Sequence, residues 1–489
     1  MKKFNLFTLL AVVVISVISC STPPERIIKY TTNDNCKLEF KEGKFGDSKL
    51  VSNEYSEEDG CFLAVFDKEI RTIGNEAFAR IYSLTGVTIP NSVTSIGVNA
   101  FNACSNLKSI EIPYGVKTID GGAFSYCSSL ENIKIPCSII TLANNLFVGC
   151  NMIKKVEYNC LAVFGFFSNN ESVREIVLGD SVKSIEKEAF SGCTNLASIE
   201  IPNSVTCIGE RAFNGCSSLA SITIPSSITS IGEGAFNGCS NLASISVALD
   251  NVKYDSRDNC NAIIETSTNR LIVGCKNSII PNNITSIGSC AFNRRDGLIS
   301  ITIPESVKTI ESAAFSNCGS LFDITIPNSV TEIGNAAFYK CKSLISITLP
   351  DSIKEIKMNT FADCWSLIRI EIPSGVKGIG YGAFENCFSL SYVTIPNSVT
   401  EIGDYAFKLC ESLTNIKIPN SVTKIGQEAF KLCKGLTNIT IPNSVTEIGD
   451  YAFANCIGLR SVTFPLSTIQ EMGNGVFSGC PDTARLNLR

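Results

Sequence analysis

Cysteine is the residue through which this chain has most scope for chemistry: there are 23, against no histidine at all. The lack of imidazole removes Ser-His-Asp and Cys-His nucleophile activation and every His-containing zinc site. Carboxylate and lysine chemistry survive that exclusion. Fourteen of the cysteines, from Cys104 to Cys480, occupy one fixed place in a repeating pattern whose usual step is 23 residues. Zinc needs four thiolates around one point, whereas one thiol per repeat makes a line. If the repeats stack like strands, about 4.8 Å apart, neighbouring Cβ atoms lie beyond the usual disulfide separation. The expectation is a row of free thiols packed as small buried apolar groups, with no metal and no cofactor. Cys36 and Cys61 stand outside the row, and whether they pair is left open.

Cys20 has a different context. Lys2 and Lys3 precede an apolar stretch from Leu9 to Ile18, too short to anchor stably across a bilayer. The stretch ends Val17-Ile18-Ser19-Cys20, which resembles the bacterial lipobox, where a small residue precedes an acylated cysteine. Residues 1–20 therefore read as a lipoprotein signal peptide, with Cys20 the lipid-attachment residue and an ordinary secretory signal the alternative. Ser21, where aspartate would mark inner-membrane retention, favours the outer membrane. Residues 21–60 read as a tether, stiffened by Pro23-Pro24, and an N-terminal cap. Within the cap Lys37–Phe40 and Leu50–Tyr55 alternate as strands do.

The elements that position the cysteine row repeat from residue 61 to 489. The unit is Leu-x-x-Ile-x-Ile-Pro-x-x-Val-x-x-Ile-Gly-x-x-Ala-Phe-x-x-Cys-x-x, as in Leu413 to Gly435. Leu-x-x-Ile-x-Ile is a short strand, ended by a proline that cannot donate to a ladder. Asn420-Ser421 is turn chemistry. Val422 and Ile425 begin a second extended piece, and Glu428 to Leu432 can make one turn of 3-10 or α helix that aims Phe430 inward. Each unit turns about eight apolar side chains inward, worth roughly 1.5–3 kcal/mol apiece on burial. One coil cannot shield them, but stacked coils can. The expected fold is a β-rich α/β solenoid: a right-handed superhelix of about 18 coils. The unit from Ile153 runs three residues short, and the unit from Leu242 runs ten long and lacks the Ala-Phe pair. The latter's extra residues, Ala262–Glu265 and Arg270–Val273 within a 249–280 insertion, read as a hairpin. The glycine after the second-wall isoleucine is replaced by Asp120, Ala143, Glu186, Glu311 and Lys357 in some units, which argues against a strict left-handed backbone there.

The string Ile-x-Ile-Pro-Asn-Ser-Val-Thr-x-Ile-Gly-x-x-Ala-Phe-x-x-Cys resembles the BspA-like, or Treponema pallidum type, leucine-rich repeats, over residues 61 to 489. The resemblance implies a leucine-rich repeat solenoid in a bacterial surface or secreted protein. Some members of that family adhere to host matrix proteins such as fibronectin and fibrinogen. It transfers no particular ligand.

Residues beside the buried isoleucines face outward and form a sheet rich in threonine and serine, Thr348 and Thr394 among them. A solvated sheet explains most of that. One stretch departs from it. Trp365, the only tryptophan, and Phe388 follow the cysteine in adjacent units, and Arg369, Glu371 and Tyr392 stand on the strands that come next. Trp, Tyr and Arg are the residues binding hot spots favour, so these seven form the candidate binding patch. The net charge of −5, with no basic stripe, argues against nucleic acid. A monomeric, lipid-anchored outer-membrane or cell-surface protein binding a host matrix protein, a glycan or another surface protein is expected, touching the membrane only through its lipid. A cell-envelope scaffold is the alternative. A polysaccharide-acting β-helix enzyme ranks last, because acidic residues on the sheet face are scattered rather than gathered.

Overall fold

A computed structural model of the chain describes residues 24–143, 145–464, 470–481 and 485–488. The signal segment and Cys20 lie outside the described residues. The chain divides into two compact units, residues 1–216 and 217–489. Both are built from the repeat, which forms a β-solenoid of about 17 turns.

The first unit begins with three antiparallel strands: β1 (Ile27–Thr32), β2 (Leu50–Ser56) and β3 (Cys61–Phe66). β1 pairs antiparallel with β3 on one side and with Leu84–Thr88 on the other. From Leu84–Thr88 onward the sheet is parallel, through Ser109–Glu111, Asn132–Ile135, Lys155–Tyr158 and Glu175–Leu178. On this wall the parallel stack thus starts at Leu84–Thr88, while on the opposite wall Thr72–Ile73 already pairs in parallel with Ser95–Ile96. The expected strand at Lys37–Phe40 is absent, and β1 stands in its place. The backbone at Leu38 is satisfied by side chains instead of a ladder: its N–H donates to the Tyr30 hydroxyl at 3.0 Å, and its carbonyl accepts from Asn53 at 2.8 Å. Phe40 then sets its ring edge-on to Phe78, 5.7 Å away, closing the open end of the phenylalanine row. Cys36 is exposed, Cys61 is buried, and both are free thiols.

The second unit shows the coil at its most regular. In the strand Asn438–Thr440, Ile439 is buried while its neighbours face out, and register is kept residue for residue with Ser461–Phe464. On the opposite wall Glu447–Ile448 pairs in parallel with Lys424–Ile425. Phenylalanines from Phe292 to Phe453 stack face to face at 5.1–5.6 Å, with ring planes within 10°. Such pairs contribute about 0.5–1.5 kcal/mol each beyond burial.

The segment around the phenylalanine is not helical. Glu428 and Leu432 have positive φ, 52° and 63°, so the chain makes consecutive β-turns. Their N–H groups, with that of Phe430, donate to the Asp450, Ala454 and Ala452 carbonyls of the next coil at 2.7–2.9 Å. A helix would keep these donors to itself; alternating hand lets them join the coils. The glycine before this segment has an ordinary φ. It is needed for close approach, since a Cβ at Gly426 would lie 2.4 Å from the Asp404 nitrogen. Asp120 and Glu311 at that position still make the equivalent ladder bond at 2.9 Å.

The insertion folds as the turn chemistry predicts. Ala262–Glu265 and Arg270–Gly274 form an antiparallel hairpin, and Arg270–Gly274 rejoins the stack by pairing in parallel with Ser286–Ile287. Because this coil lacks the Ala-Phe-x-x-Cys segment, it brings no thiol to the Phe236 carbonyl. Arg295, which takes the cysteine position in the following coil and is 1% exposed, fills that role. Its guanidinium donates to the carbonyls of Gly274 at 2.8 Å and Phe236 at 3.1 Å.

Candidate functional site

The cysteine row is hydrogen-bonded. Along the row, thiols donate to the carbonyl of the phenylalanine in the coil before, Cys433 to Phe407 at 3.2 Å and Cys104 to Phe78 at 3.0 Å among them. Burial pushes the Cys104, Cys318 and Cys433 thiols up to about 12. A thiol held protonated and aimed at a carbonyl is a poor nucleophile and a poor metal ligand. Among the described residues no three His, Cys, Asp or Glu side chains gather as a metal site would require.

The seven patch residues fall into two groups. On the sheet, Arg369–Glu371 and Tyr392–Thr394 pair in parallel, setting Arg369 beside Tyr392 and Glu371 beside Thr394, all facing out, with Ile370 and Val393 buried between. The Thr394 hydroxyl donates to the Tyr392 oxygen at 3.2 Å. Thr348 stands one coil earlier, and with Arg369 and Glu371 it lines a shallow depression of about 340 Å³. In the turns after the cysteines, the Trp365 ring lies 6.0 Å from that of Phe388. The Lys342 ammonium sits 4.0 Å from the Trp365 ring centre, and the indole N–H donates to Asp363 at 3.3 Å. Trp365 remains 41% exposed although three groups hold it. The structure assembles each group from adjacent coils, and no contact between the two groups is described.

Two surfaces escaped the sequence reading. In the first unit, β1 and the loop before β3 wall one side of a trough of about 640 Å³ on the sheet. Lys29 bonds Asp59 at 2.6 Å across that wall, a contact that raises the lysine and lowers the carboxyl. Lys155 bridges Glu157 at 3.4 Å and Glu175 at 2.8 Å on the other wall. Gly86, Thr88 and Ser109 contribute to the same trough, which only the antiparallel turn of β1 creates. In the second unit, the residue after the conserved leucine is apolar and outward-facing in four coils in succession: Ile299, Phe322, Ile345 and Ile368. That run was readable by aligning coils at a position outside the motif.

The BspA type leucine rich repeat region matches residues 61–162, 164–270, 272–390 and 354–484. A leucine rich cell surface protein from Faecalibacterium prausnitzii is 31% identical, with 75% of this chain and 86% of that one covered and a TM-score of 0.46. A leucine-rich repeat protein from Bacteroides ovatus is 25% identical over 90% of this chain and 98% of its own, with a TM-score of 0.48. The pneumococcal vaccine antigen PcpA is 18% identical over 92% and 91%, with a TM-score of 0.40. No curated protein sequence matches. With the repeat profile covering nearly all of residues 61–484, the chain belongs to the BspA-type leucine-rich repeat family.

Proposed function

We propose that this chain is a lipid-anchored bacterial surface protein that binds a protein or glycan partner through the outer faces of its coils. The observation that carries the reading is the exposed aromatic ridge. Trp365 is held in place by Lys342, Asp363 and Phe388, yet much of its ring stays open to solvent. An aromatic side chain already fixed before binding loses little entropy when a partner covers it, and Trp is enriched at binding hot spots. Support also comes from the 31% identical Faecalibacterium relative, named as a cell surface protein. Acylation at Cys20 would hold the chain at the membrane surface. The test is a binding panel of fibronectin, fibrinogen and host and bacterial glycans against the mature chain. At least one panel member is expected to bind, and Trp365→Ala with Tyr392→Ala is expected to weaken it tenfold or more. Wild-type affinity in that double variant would dismiss the patch, and no binder across the panel would count against the adhesion reading.

A further inference from the structure

Four successive coils of the second unit carry an apolar residue directly after the conserved leucine. Ile299 is 65% exposed, Phe322 53% and Ile368 47%, with Ile345 half-buried between them. Elsewhere this position is polar or alanine, Lys108 and Thr437 for example. The four are neighbours in space, because the Phe322 N–H donates to the Ile299 carbonyl and the Ile368 N–H to the Ile345 carbonyl, both at 2.9 Å. Thr325 and Thr348 bridge the two middle coils. At the far end, only Ser366 and Leu367 separate Ile368 in the chain from Trp365, which packs on Phe388. Contiguous exposed apolar surface of this kind marks interaction sites.

Charge divides along the stripe. At the positions flanking the stripe, Asp296 and Asp323 lie beside Ile299 and Phe322, and Lys342 and Arg369 beside Ile345 and Ile368, with Arg294 and Glu371 farther along the first and last of these coils. The four flanking charges are exposed, and no ion pair is described for any of them. We propose that this stripe docks a short amphipathic α-helix of a partner protein, lying across the four coils with its N-terminus toward Asp296 and Asp323. This rests on the binding reading above and names its partner chemistry.

Three arguments select that occupant. Rungs about 4.8 Å apart come near the 5.4 Å rise per turn of an α-helix, whereas same-face residues of an extended strand repeat at about 6.6 Å. Four rungs thus receive anchors spaced i, i+4, i+7 and i+11 along one helix face. A helix presents partial positive charge at its N-terminus and negative charge at its C-terminus, and the stripe offers acids at one end and bases at the other. The apolar contact comprises six side chains, Trp365 and Phe388 included, while a stable dimer face takes roughly 20–30 residues a side; this sets a helical segment ahead of a second copy.

The mature chain carries its own reporter, since Trp365 is its only tryptophan. The probe is a hydrocarbon-stapled 15-residue peptide with leucines on one face, lysines in its first half and glutamates in its second. The controls are a permuted peptide of the same composition and a peptide with the charge halves exchanged. Saturable binding with a blue shift of Trp365 emission is expected, at least tenfold weaker for either control. It should also be at least tenfold weaker for the Ile299→Asp, Phe322→Asp double variant, whose thermal melt should match wild type because both side chains face solvent. Asp323→Lys with Arg369→Glu should exchange the preference between the two charge orders. Equal binding of probe and permuted control, or full binding by the double variant, overturns the proposal. So does a concentration-dependent dimer that Phe322→Asp abolishes, which would assign the stripe to a second copy. A panel protein that binds the double variant at wild-type strength removes the groove but leaves the adhesion reading standing. Binding of the probe with no panel member bound does the reverse.

Discussion

A thiol that donates to a carbonyl 26 residues back along the chain joins coils as a backbone bond does. Cysteine suits the position because it is small and apolar enough to pack beneath the phenylalanine row, yet keeps one weak donor for a carbonyl that faces the interior. Arg295 makes the same point from the other side: at the cysteine position of its coil, a guanidinium reaches the Phe236 carbonyl. The consequence for pH follows from the raised thiols. Desolvation lifts Cys104, Cys318 and Cys433 from 9.0 to about 12. A folded-state pKa above the unfolded one contributes stability that is complete below pH 9 and is lost as pH rises toward 12. Urea midpoints should therefore fall with pH above about 9, with many thiols contributing together. At pH 8 a thiol reagent should label exposed Cys36 and Cys137 in the folded chain, together with half-buried Cys480, whose thiol the hydrogen bond from Cys456 lowers to about 7, and the fully buried row from Cys104 to Cys456 only after unfolding. Fast reaction of the row in the native state, or few free thiols in denaturant without reductant, would refute this.

At the level of the element, the sequence displays what repeats and hides what does not. The strand, the proline stop and the inward Phe and Cys are all legible, because a fixed period puts each apolar residue on the same wall of every coil. The turn is misjudged as helical from Glu428 to Leu432, although the signal for alternating hand was present. Two residues after the phenylalanine stand Gly192, Gly215, Asn317, Asn386 and Asn455, all with positive φ, and Gly and Asn are the residues that adopt it cheaply. The cap is misjudged at Lys37–Phe40 because alternation alone cannot reveal that the Tyr30 and Asn53 side chains satisfy the backbone there. Of the candidate patch, Trp365 and Phe388 were legible as departures from a consensus, while the trough beside β1 was not, since it depends on an antiparallel strand outside the period. The insertion offers a test of how such a departure is tied in. Arg270 on the hairpin grips Glu311 with two hydrogen bonds of 2.5 and 2.6 Å. Partial burial pushes the Glu311 carboxyl up, but the Arg270 guanidinium, the Ser286 hydroxyl and the Ser289 N–H outweigh it and hold the group at about 2. The stability this contributes is present above the unfolded value of 4.5 and is lost as pH falls toward 2. Glu311→Gln should lower stability at pH 7 and flatten the loss between pH 5 and 2, read as urea midpoints across that range. An unchanged acid limb in the variant would show that other carboxylates control it.

For the whole molecule, the question is what holds a protein of this kind where it can meet a partner. Among the described residues no helix is long and apolar enough to cross a membrane. The proposed anchor rests on the sequence around Cys20: acyl chains there would each add about 0.8 kcal/mol of membrane affinity per buried methylene, with two membrane signals needed for stable attachment. Wild-type protein expressed in its own cell type should take up labelled palmitate, partition into the detergent phase of a Triton X-114 extract, and be shaved from intact cells by added protease. Cys20→Ala should lose the label and leave the detergent phase. Its circular dichroism should match that of the wild-type mature chain, because the repeats that form the solenoid begin only after residue 60. Should Cys20→Ala remain in the detergent phase, some other part of the chain must contact lipid. If the wild-type protein is labelled yet resists protease on intact cells, the body faces the periplasm, and the partners to seek are components of the envelope and not of a host.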